Sequence, residues 1–181
     1  MQTDTTGTTR TTGTGSRIAT VLLMVSTVLM GLMAGLFFAF DVSVMPGLAQ
    51  GDEQTYVTAM RNINAVIDGN ALFGAVFVAA LLAAAASAVV EFRKGRRGTA
   101  VWAGAAAALY LVVLVVTFTV NIPLNNELAG VGGAAKPAGS SIVDRFEGTW
   151  VTANIVRTLL CTAALTALAR ALVLYGRATA R

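Results

Sequence analysis

Four long apolar stretches, almost free of charged residues, dominate the pattern of hydrophobic and polar positions along the chain. A helix rises about 1.5 Å per residue, so about 20 residues are enough to cross the roughly 30 Å hydrocarbon core of a bilayer. Short connections between four spans favour an up-down-up-down arrangement. The pattern therefore predicts an all-α, integral membrane four-helix bundle within residues 17–177, with helices at about 18–40, 71–90, 100–120 and 149–174.

Two stretches outside these spans follow other patterns. Residues 1–16 hold eight Thr among their first fourteen positions and no apolar run, which predicts a disordered tail. Apolar residues recur at helical spacing between Gln54 and Asp68, which predicts an amphipathic segment that breaks at residues 68–70. A signal peptide is disfavoured for the first span, because its apolar region would be only about 7–15 residues long.

Composition and charge agree with a membrane protein. The 181 residues are 56% hydrophobic and 12% charged, with a mean hydropathy of +0.72, whereas soluble domains are about a quarter charged. The basic residues are scattered at helix ends, so the pI near 9.8 does not indicate nucleic-acid binding. The side with both termini holds most of them, which predicts cytoplasmic termini in the cell membrane by the positive-inside rule. That side has Arg10, Arg17, Arg93, Lys94, Arg96, Arg97, Arg170, Arg177 and Arg181, and the other has Arg61, Lys136, Arg145 and Arg157.

The complement of reactive side chains excludes several kinds of chemistry. The chain has no His and one cysteine, Cys161. Intrachain disulfides, His-ligated haem, Cys/His zinc sites and His-dependent nucleophilic catalysis are therefore excluded. We expect any reaction to use Asp, Glu, Arg, Asn, Tyr, the backbone or the substrate itself.

Polar residues collect at one end of the predicted bundle. Asn121 and Asn125 lie one turn apart around Pro123, which is predicted to end the third span. Buried amides that lack partners cost several kcal/mol, so these side chains should face protein, ligand or trapped water rather than lipid. The residues predicted at this extracytoplasmic end are Asp41, Asn62, Asn64, Asp68, Asn121, Asn125, Trp150, Asn154 and Arg157.

Arg157 admits two interpretations at this stage. Trp150, Asn154 and Arg157 share one helical stripe, which places a guanidinium inside the fourth span. Such a cation needs a partner, and Asp41, Asp68 or Glu127 could reach it from neighbouring helices. It is either part of a buried ion pair that fixes helix register, with the amides as interhelical contacts, or part of a site that stabilises a developing oxyanion. Trp150 also admits two interpretations, an anchor at the membrane interface or a platform on which a ligand stacks. Asp41 is either an ordinary solvated residue at a helix end or a functional carboxylate.

Five short motifs lie in the predicted spans and at their ends: Ala34–Phe40, Met45–Leu48, Met60–Asn64, Asn121–Asn125 and Trp150–Thr158. The most specific are the Asn-x-Pro-x-Asn and Trp-x-x-x-Asn-x-x-Arg-Thr signatures. Together the motifs resemble the anthrone oxygenase family, a group of small four-helix membrane proteins. The resemblance covers about residues 18–175 and implies cofactor-free oxidation of a lipophilic, anthrone-type aromatic by dioxygen, without a metal.

The resemblance also implies roles for individual residues. A base would remove an activated C–H proton, and Asp41 and Asp68 are the candidates for it. Arg157 and the amides of Asn121, Asn125 and Asn154 would stabilise the resulting oxyanion. Trp150 would stack on the ring, and Asn64 and Asn125 would contact substrate.

A non-catalytic function remains the alternative: a membrane scaffold or a small-molecule-binding subunit. Its polar end would recognise a partner, and it would need only packing and an exposed surface. A transporter is disfavoured because the second and third spans are apolar through their centres. The expected partners are the lipid bilayer and a lipophilic aromatic molecule. Gly31 and Gly35 form a GxxxG motif that favours close helix packing, within the bundle or in a homo-oligomer.

Overall fold

A computed structural model describes residues 12–130, 144 and 146–180, with side chains from residue 17 onward. The described residues form helices and contain no strand. Three of the helical segments are short π-helices, numbered separately here. In chain order the elements are α1 (Thr12–Ala39), π1 (Phe40–Val44), α2 (Met45–Leu48), α3 (Glu53–Gly69), α4 (Ala71–Arg93), α5 (Arg97–Val116), π2 (Thr117–Asn121), α6 (Ile122–Gly130), π3 (Phe146–Trp150) and α7 (Val151–Thr179).

Four continuous helical spans make the chain a multi-pass membrane protein. Each is long and apolar enough to cross a bilayer. Helices α1 and α4, α4 and α5, and α5 and α7 pack on one another, and α1 closes the bundle against α7. The predicted all-α membrane bundle is therefore confirmed. The spans run over Arg17–Leu48, Ala71–Arg93, Arg97–Gly130 and Phe146–Thr179.

Small residues bring the helices close together in the centre of the bundle. Ala80 and Ala84 of α4 and Ala106 of α5 have no exposed surface, which permits the close backbone approach typical of membrane helices. Tyr110 of α5 crosses this interface and donates its O–H to the Phe77 carbonyl over 3.0 Å. A buried phenol thus keeps its hydrogen bond without water.

The first and third spans are longer than the sequence predicted. Proline lacks the N–H that a helix needs, and its ring collides with the carbonyl four residues earlier. The first helix was therefore predicted to end near residue 40, before Pro46, and the third at Pro123. Both predictions are wrong. A wider π turn precedes each proline: Met45 N–H bonds to the Phe40 carbonyl and Ile122 N–H to the Thr117 carbonyl. The wide turn makes room for the ring, and the helix continues.

All three π-helices lie at the polar end of the bundle. Single π turns within α-helices are frequent at functional sites, because the extra residue changes which side chains face a neighbour. Each turn here contains one predicted site residue: Asp41 in π1, Asn121 in π2 and Trp150 in π3. Departures from regular helix therefore coincide with the candidate chemistry.

Helix α3 lies at the same end, and it confirms the predicted amphipathic segment between Gln54 and Asp68. Asp52 caps it by accepting the Thr55 N–H over 2.7 Å, and this bond lowers the pKa of the Asp52 carboxyl. The predicted break at residues 68–70 is confirmed, since extended Asn70 ends α3 and caps α4 through the Phe73 N–H. Tyr56 is buried against Phe146, and burial, then the nearby Glu147 charge, raises the pKa of its phenol.

An ion pair closes the opposite end. The Arg96 guanidinium donates to both carboxylate oxygens of the fully buried Glu91 over 2.5 and 2.6 Å, and this bonding raises the pKa of Arg96. Arg96 also lies 5.0 Å from the Tyr175 ring centroid, and the Tyr175 hydroxyl lies 2.9 Å from that of Thr20. The turn between α4 and α5 is thereby tied to α1 and α7.

Parts of two predictions lie outside the described residues. Residues 12–16 of the predicted disordered tail are helical within α1, whereas residues 1–11 are not described. Arg10, Lys136, Arg145 and Arg181, which enter the charge count for orientation, also lie outside the described residues. Cytoplasmic termini stay a prediction.

Candidate functional site

A cavity of about 220 Å³ lies at the polar end, bounded by α1, α3, α4, π2 and α7. We call it the chamber. Its walls are mostly apolar, with Phe37, Phe40, Phe73 and Phe77 among them. Seven of the eight predicted site residues line it, and Asp41 does not: the seven are Asn64, Asp68, Asn121, Asn125, Trp150, Asn154 and Arg157.

Arg157 is buried in the chamber wall without a carboxylate partner among the described residues. Its guanidinium donates to Asn154 Oδ1 over 2.7 Å and, more weakly, to Thr117 Oγ1 over 3.4 Å. Its Cζ lies 4.4 Å from the ring centroid of Phe37 and 5.4 Å from that of Trp150, so aromatic faces cover the cation. The predicted direct ion pair with Asp41, Asp68 or Glu127 is not formed, because an amide and two rings occupy the first contacts of the guanidinium.

Asn154 connects Arg157 to Asp41. While its Oδ1 accepts from Arg157, its Nδ2 donates to Asp41 Oδ1 over 2.5 Å and to the Phe37 carbonyl over 2.9 Å. Thr158 donates to the other Asp41 oxygen over 2.5 Å. Both carboxylate oxygens of Asp41 are thus engaged behind the chamber wall. Asp41 fixes the orientation of Asn154 and places a negative charge one side chain away from the cation.

Asn121, Asn125 and Trp150 form a second connected group. The indole N–H of Trp150 donates to Asn125 Oδ1 over 2.8 Å, and Asn121 Nδ2 donates to the Trp150 carbonyl over 3.4 Å. Phe146 stacks on the indole with a centroid distance of 5.7 Å and an interplanar angle of 17°. Phe146 and Arg157 therefore already contact the ring that the resemblance assigns to substrate stacking.

Three chamber residues have buried polar atoms without hydrogen-bond partners in the described part of the chain. They are Asn64 Nδ2, Asn121 Oδ1 and Arg157 Nε. An unsatisfied buried polar group costs about 1–3 kcal/mol, and more when it is charged. These two donors and one acceptor belong to residues that line one cavity, so small side-chain shifts would let a ligand with a carbonyl or phenolate oxygen and a hydroxyl group satisfy them together.

A second cavity of about 440 Å³ adjoins the chamber, and we call it the polar compartment. Asn64, Asp68 and Asn125 line both cavities. Asp68 is exposed and makes no hydrogen bond or ion pair with another described residue. A carboxylate therefore stands at the boundary between an aromatic cavity and a polar one. The other residues of the polar compartment are Thr58, Arg61, Asn62, Ala65, Asn126 and Ala129.

Sequence patterns missed several contributors to the site. Thr117 and Thr158 lie one helical turn from Asn121 and Asn154, so their positions on the same stripes were a usable signal. Phe37, which covers the guanidinium, was indistinguishable in sequence from other core or lipid-facing aromatics. No group of three or more His, Cys, Asp or Glu side chains that could hold a metal ion occurs within the described ranges.

Comparison with known proteins bears directly on this site. A family model described as Anthrone oxygenase matches residues 64–167, which is more than half of the chain. The matched range contains the seven chamber residues predicted above and leaves out Asp41. No curated protein and no solved structure matches the chain. The match over residues 64–167 shows that the chain belongs to the anthrone oxygenase family.

Proposed function

We propose that this protein is a membrane-embedded, cofactor-independent oxygenase that oxidises a lipophilic, anthrone-type aromatic with dioxygen. The observation that carries the proposal is the set of unpartnered buried atoms on an aromatic chamber, one of them on the guanidinium of Arg157. Burying a cation without a carboxylate partner is unfavourable for folding alone. A site that binds an anionic oxygen explains why it is present.

The reaction needs a base and a stabiliser of negative charge. The base removes a proton from the activated methylene of the substrate, and the charge delocalises onto the ring oxygen as a phenolate. The electron-rich carbon reacts with dioxygen to give a hydroperoxide, which loses water to leave a carbonyl. In sum, a CH₂ group and O₂ become a C=O group and H₂O. The Nε of Arg157 and the Nδ2 of Asn64 would donate to the developing oxyanion.

Asp68 is the base in this proposal, and Asp41 is a positioning residue. Asp68 lines the chamber, and its boundary with the polar compartment offers an exit for the abstracted proton to water. Both oxygens of Asp41 instead accept hydrogen bonds from Asn154 and Thr158 outside the chamber lining. Because both oxygens already accept hydrogen bonds from side chains of the bundle, Asp41 is poorly placed to take a proton from a substrate in the chamber.

Oxygen uptake by the purified protein tests the proposal, with dithranol or emodin anthrone as substrate and without added metal or flavin. We expect turnover in the wild type and a fall in kcat of about 10²–10⁴-fold in Asp68→Asn, the range for loss of a general base. Asp144→Asn is the matched control, since Asp144 is exposed and outside the chamber lining. Binding without oxygen uptake in the folded wild type would overturn the oxygenase in favour of a small-molecule-binding subunit.

A further inference from the structure

The mouth of the chamber has an apolar edge and a polar edge. Four of the lining residues are exposed: Asp68, Asn70, Gly74 and Phe118. Asp68 and Asn70 lie at the junction of α3 and α4, while Gly74 and Phe118 line the same cavity from α4 and from π2 of the third span. The chamber therefore opens between two membrane-spanning helices, and its polar edge lies at their ends.

The surface around the apolar edge is typical of contact with lipid. Phe118 is 59% exposed, and Leu72 on the α4 side is 73% exposed. Both belong to spanning helices, where exposed apolar side chains meet acyl chains of similar polarity. A Cβ added to Gly74 would meet nothing within 4 Å. The gap beside Gly74 is thus unfilled by the described residues and borders an apolar surface.

We propose that the chamber is loaded from the bilayer, through a lateral portal between Gly74 of α4 and Phe118 of π2, by flat apolar phenols dissolved in the membrane. The proposal rests on the proposed function for the identity of the ligand, and on the geometry for the route. Phe73 and Phe77 stack at 5.9 Å just inside this edge. A flat aromatic entering there would meet ring surface rather than polar groups.

The size of the chamber gives the portal a second role. Its volume of about 220 Å³ is below the roughly 300–1,000 Å³ of pockets that enclose drug-sized ligands. A ligand of three fused rings would place its oxygen near Arg157 and leave an outer ring in the mouth. Gly74 and Phe118 would then border the outer ring as well as the route.

The polar compartment does not suit the same ligand as an entrance. Arg61, Asn62 and Asn126 line it, and an apolar ring would displace their water without replacing the hydrogen bonds. The chamber therefore has two sides of opposite polarity. The apolar side fits substrate entry, and the polar side fits release of the proton and of water.

Binding kinetics test the portal without any need for turnover. The chain has two Trp residues, so Trp102→Phe leaves Trp150, in the chamber wall, as the single fluorophore. Quenching of Trp150 by 1-hydroxyanthraquinone would be followed by stopped flow in lipid nanodiscs. We expect Gly74→Phe, which narrows the portal, to slow both association and dissociation by about tenfold, or ~1.4 kcal/mol of barrier. Phe118→Ala, which widens it, should accelerate both rates.

Two control variants show whether a change of side-chain size anywhere on the lipid-facing surface alters the binding rates. Gly35 is exposed on α1 with nothing within 4 Å of an added Cβ, so Gly35→Phe matches Gly74→Phe. Leu111 of α5 is 51% exposed and outside the chamber lining, so Leu111→Ala matches Phe118→Ala. We expect wild-type rates in both controls. Should Gly74→Phe fail to fold, Phe118→Ala still tests the route in the opposite direction.

Three results would overturn the portal: rates in Gly74→Phe and Phe118→Ala equal to those of their controls, slower binding in Ala129→Phe on the polar compartment instead, or no quenching in the wild type. Normal binding kinetics with the expected changes, but no oxygen uptake, would remove the oxygenase and leave the portal in place. The two proposals therefore fail independently.

Discussion

Replacing Arg157 with Met removes a buried cation and keeps much of the side-chain length. If Arg157 is an interhelical contact, its loss should destabilise the bundle, because breaking a buried ionic contact costs about 3–5 kcal/mol. If Arg157 stabilises an oxyanion, its loss should lower the rate while the fold persists. Arg157→Met therefore separates the two interpretations that the sequence left open.

The contacts of Arg157 set the size of the stability effect. Met leaves Asn154 Oδ1 without its 2.7 Å donor, which costs about 1–3 kcal/mol. The contacts with Phe37 and Trp150 contribute about 2 kcal/mol each. The 3.4 Å bond to Thr117 adds little. Removing the charge also removes the desolvation penalty of the buried cation, which amounts to several kcal/mol and offsets these losses. We expect the free energy of unfolding to change by less than about 2 kcal/mol.

The rate should respond much more strongly. Loss of one oxyanion donor lowers kcat by about 10²–10³-fold, or about 2.7–4 kcal/mol. Unfolding in SDS titrations and oxygen uptake would be measured on the same preparations. Arg170→Met is the control, since Arg170 is exposed on the same helix, and both quantities should stay at wild-type values. A loss of more than about 3 kcal/mol of stability in Arg157→Met, or unchanged kcat, would refute the argument.

Two further predictions concern groups away from the chamber. Arg96→Ala leaves the fully buried carboxylate of Glu91 unpaired and should lower the free energy of unfolding by about 3–5 kcal/mol. Arg96→Lys should lower it less. A change below about 1 kcal/mol in Arg96→Ala would contradict this prediction. The hydrogen bond from the Thr55 N–H lowers the pKa of Asp52 from its ordinary value of 3.8, so its stabilisation of α3 is present above pH 3.8 and is lost as pH falls through the lowered pKa. Hydrogen exchange should therefore show faster opening of α3 in Asp52→Ala at pH 6, and a difference that persists unchanged at the lowest pH would contradict the assignment.

The bundle could be predicted from sequence because its signals are local. Each span is a continuous apolar run, and the segment at 54–68 has a clear helical period. Each of these helices can therefore be recognised from a single short stretch of the sequence. Helix ends at the prolines could not be predicted. A π turn inserts one residue without changing the apolar composition around it, so Pro123 looks the same in sequence whether it ends a helix or follows a wide turn.

The sequence was sufficient to predict that the polar residues gather at one end of the bundle. Helical stripes and span polarity place Asn64, Asn121 and Arg157 at the same end, and the structure brings all three to one chamber. Pairing between them was not predictable, because hydrogen bonds depend on side-chain orientation across helices. The sequence favoured a carboxylate partner for Arg157, whereas the structure places the Asn154 amide in that position.

Hydrogen bonding across helices also distinguishes the two candidate bases, Asp41 and Asp68. In sequence, Asp41 and Asp68 are both carboxylates near the ends of apolar spans, and no local pattern ranks one above the other. In the structure, Asp41 accepts two hydrogen bonds of 2.5 Å, while Asp68 borders both cavities without such bonds from described residues. A base must gain and lose a proton in each turnover, which requires an oxygen that can meet the substrate. In the proposed mechanism, positioning therefore falls to Asp41 and proton transfer to Asp68.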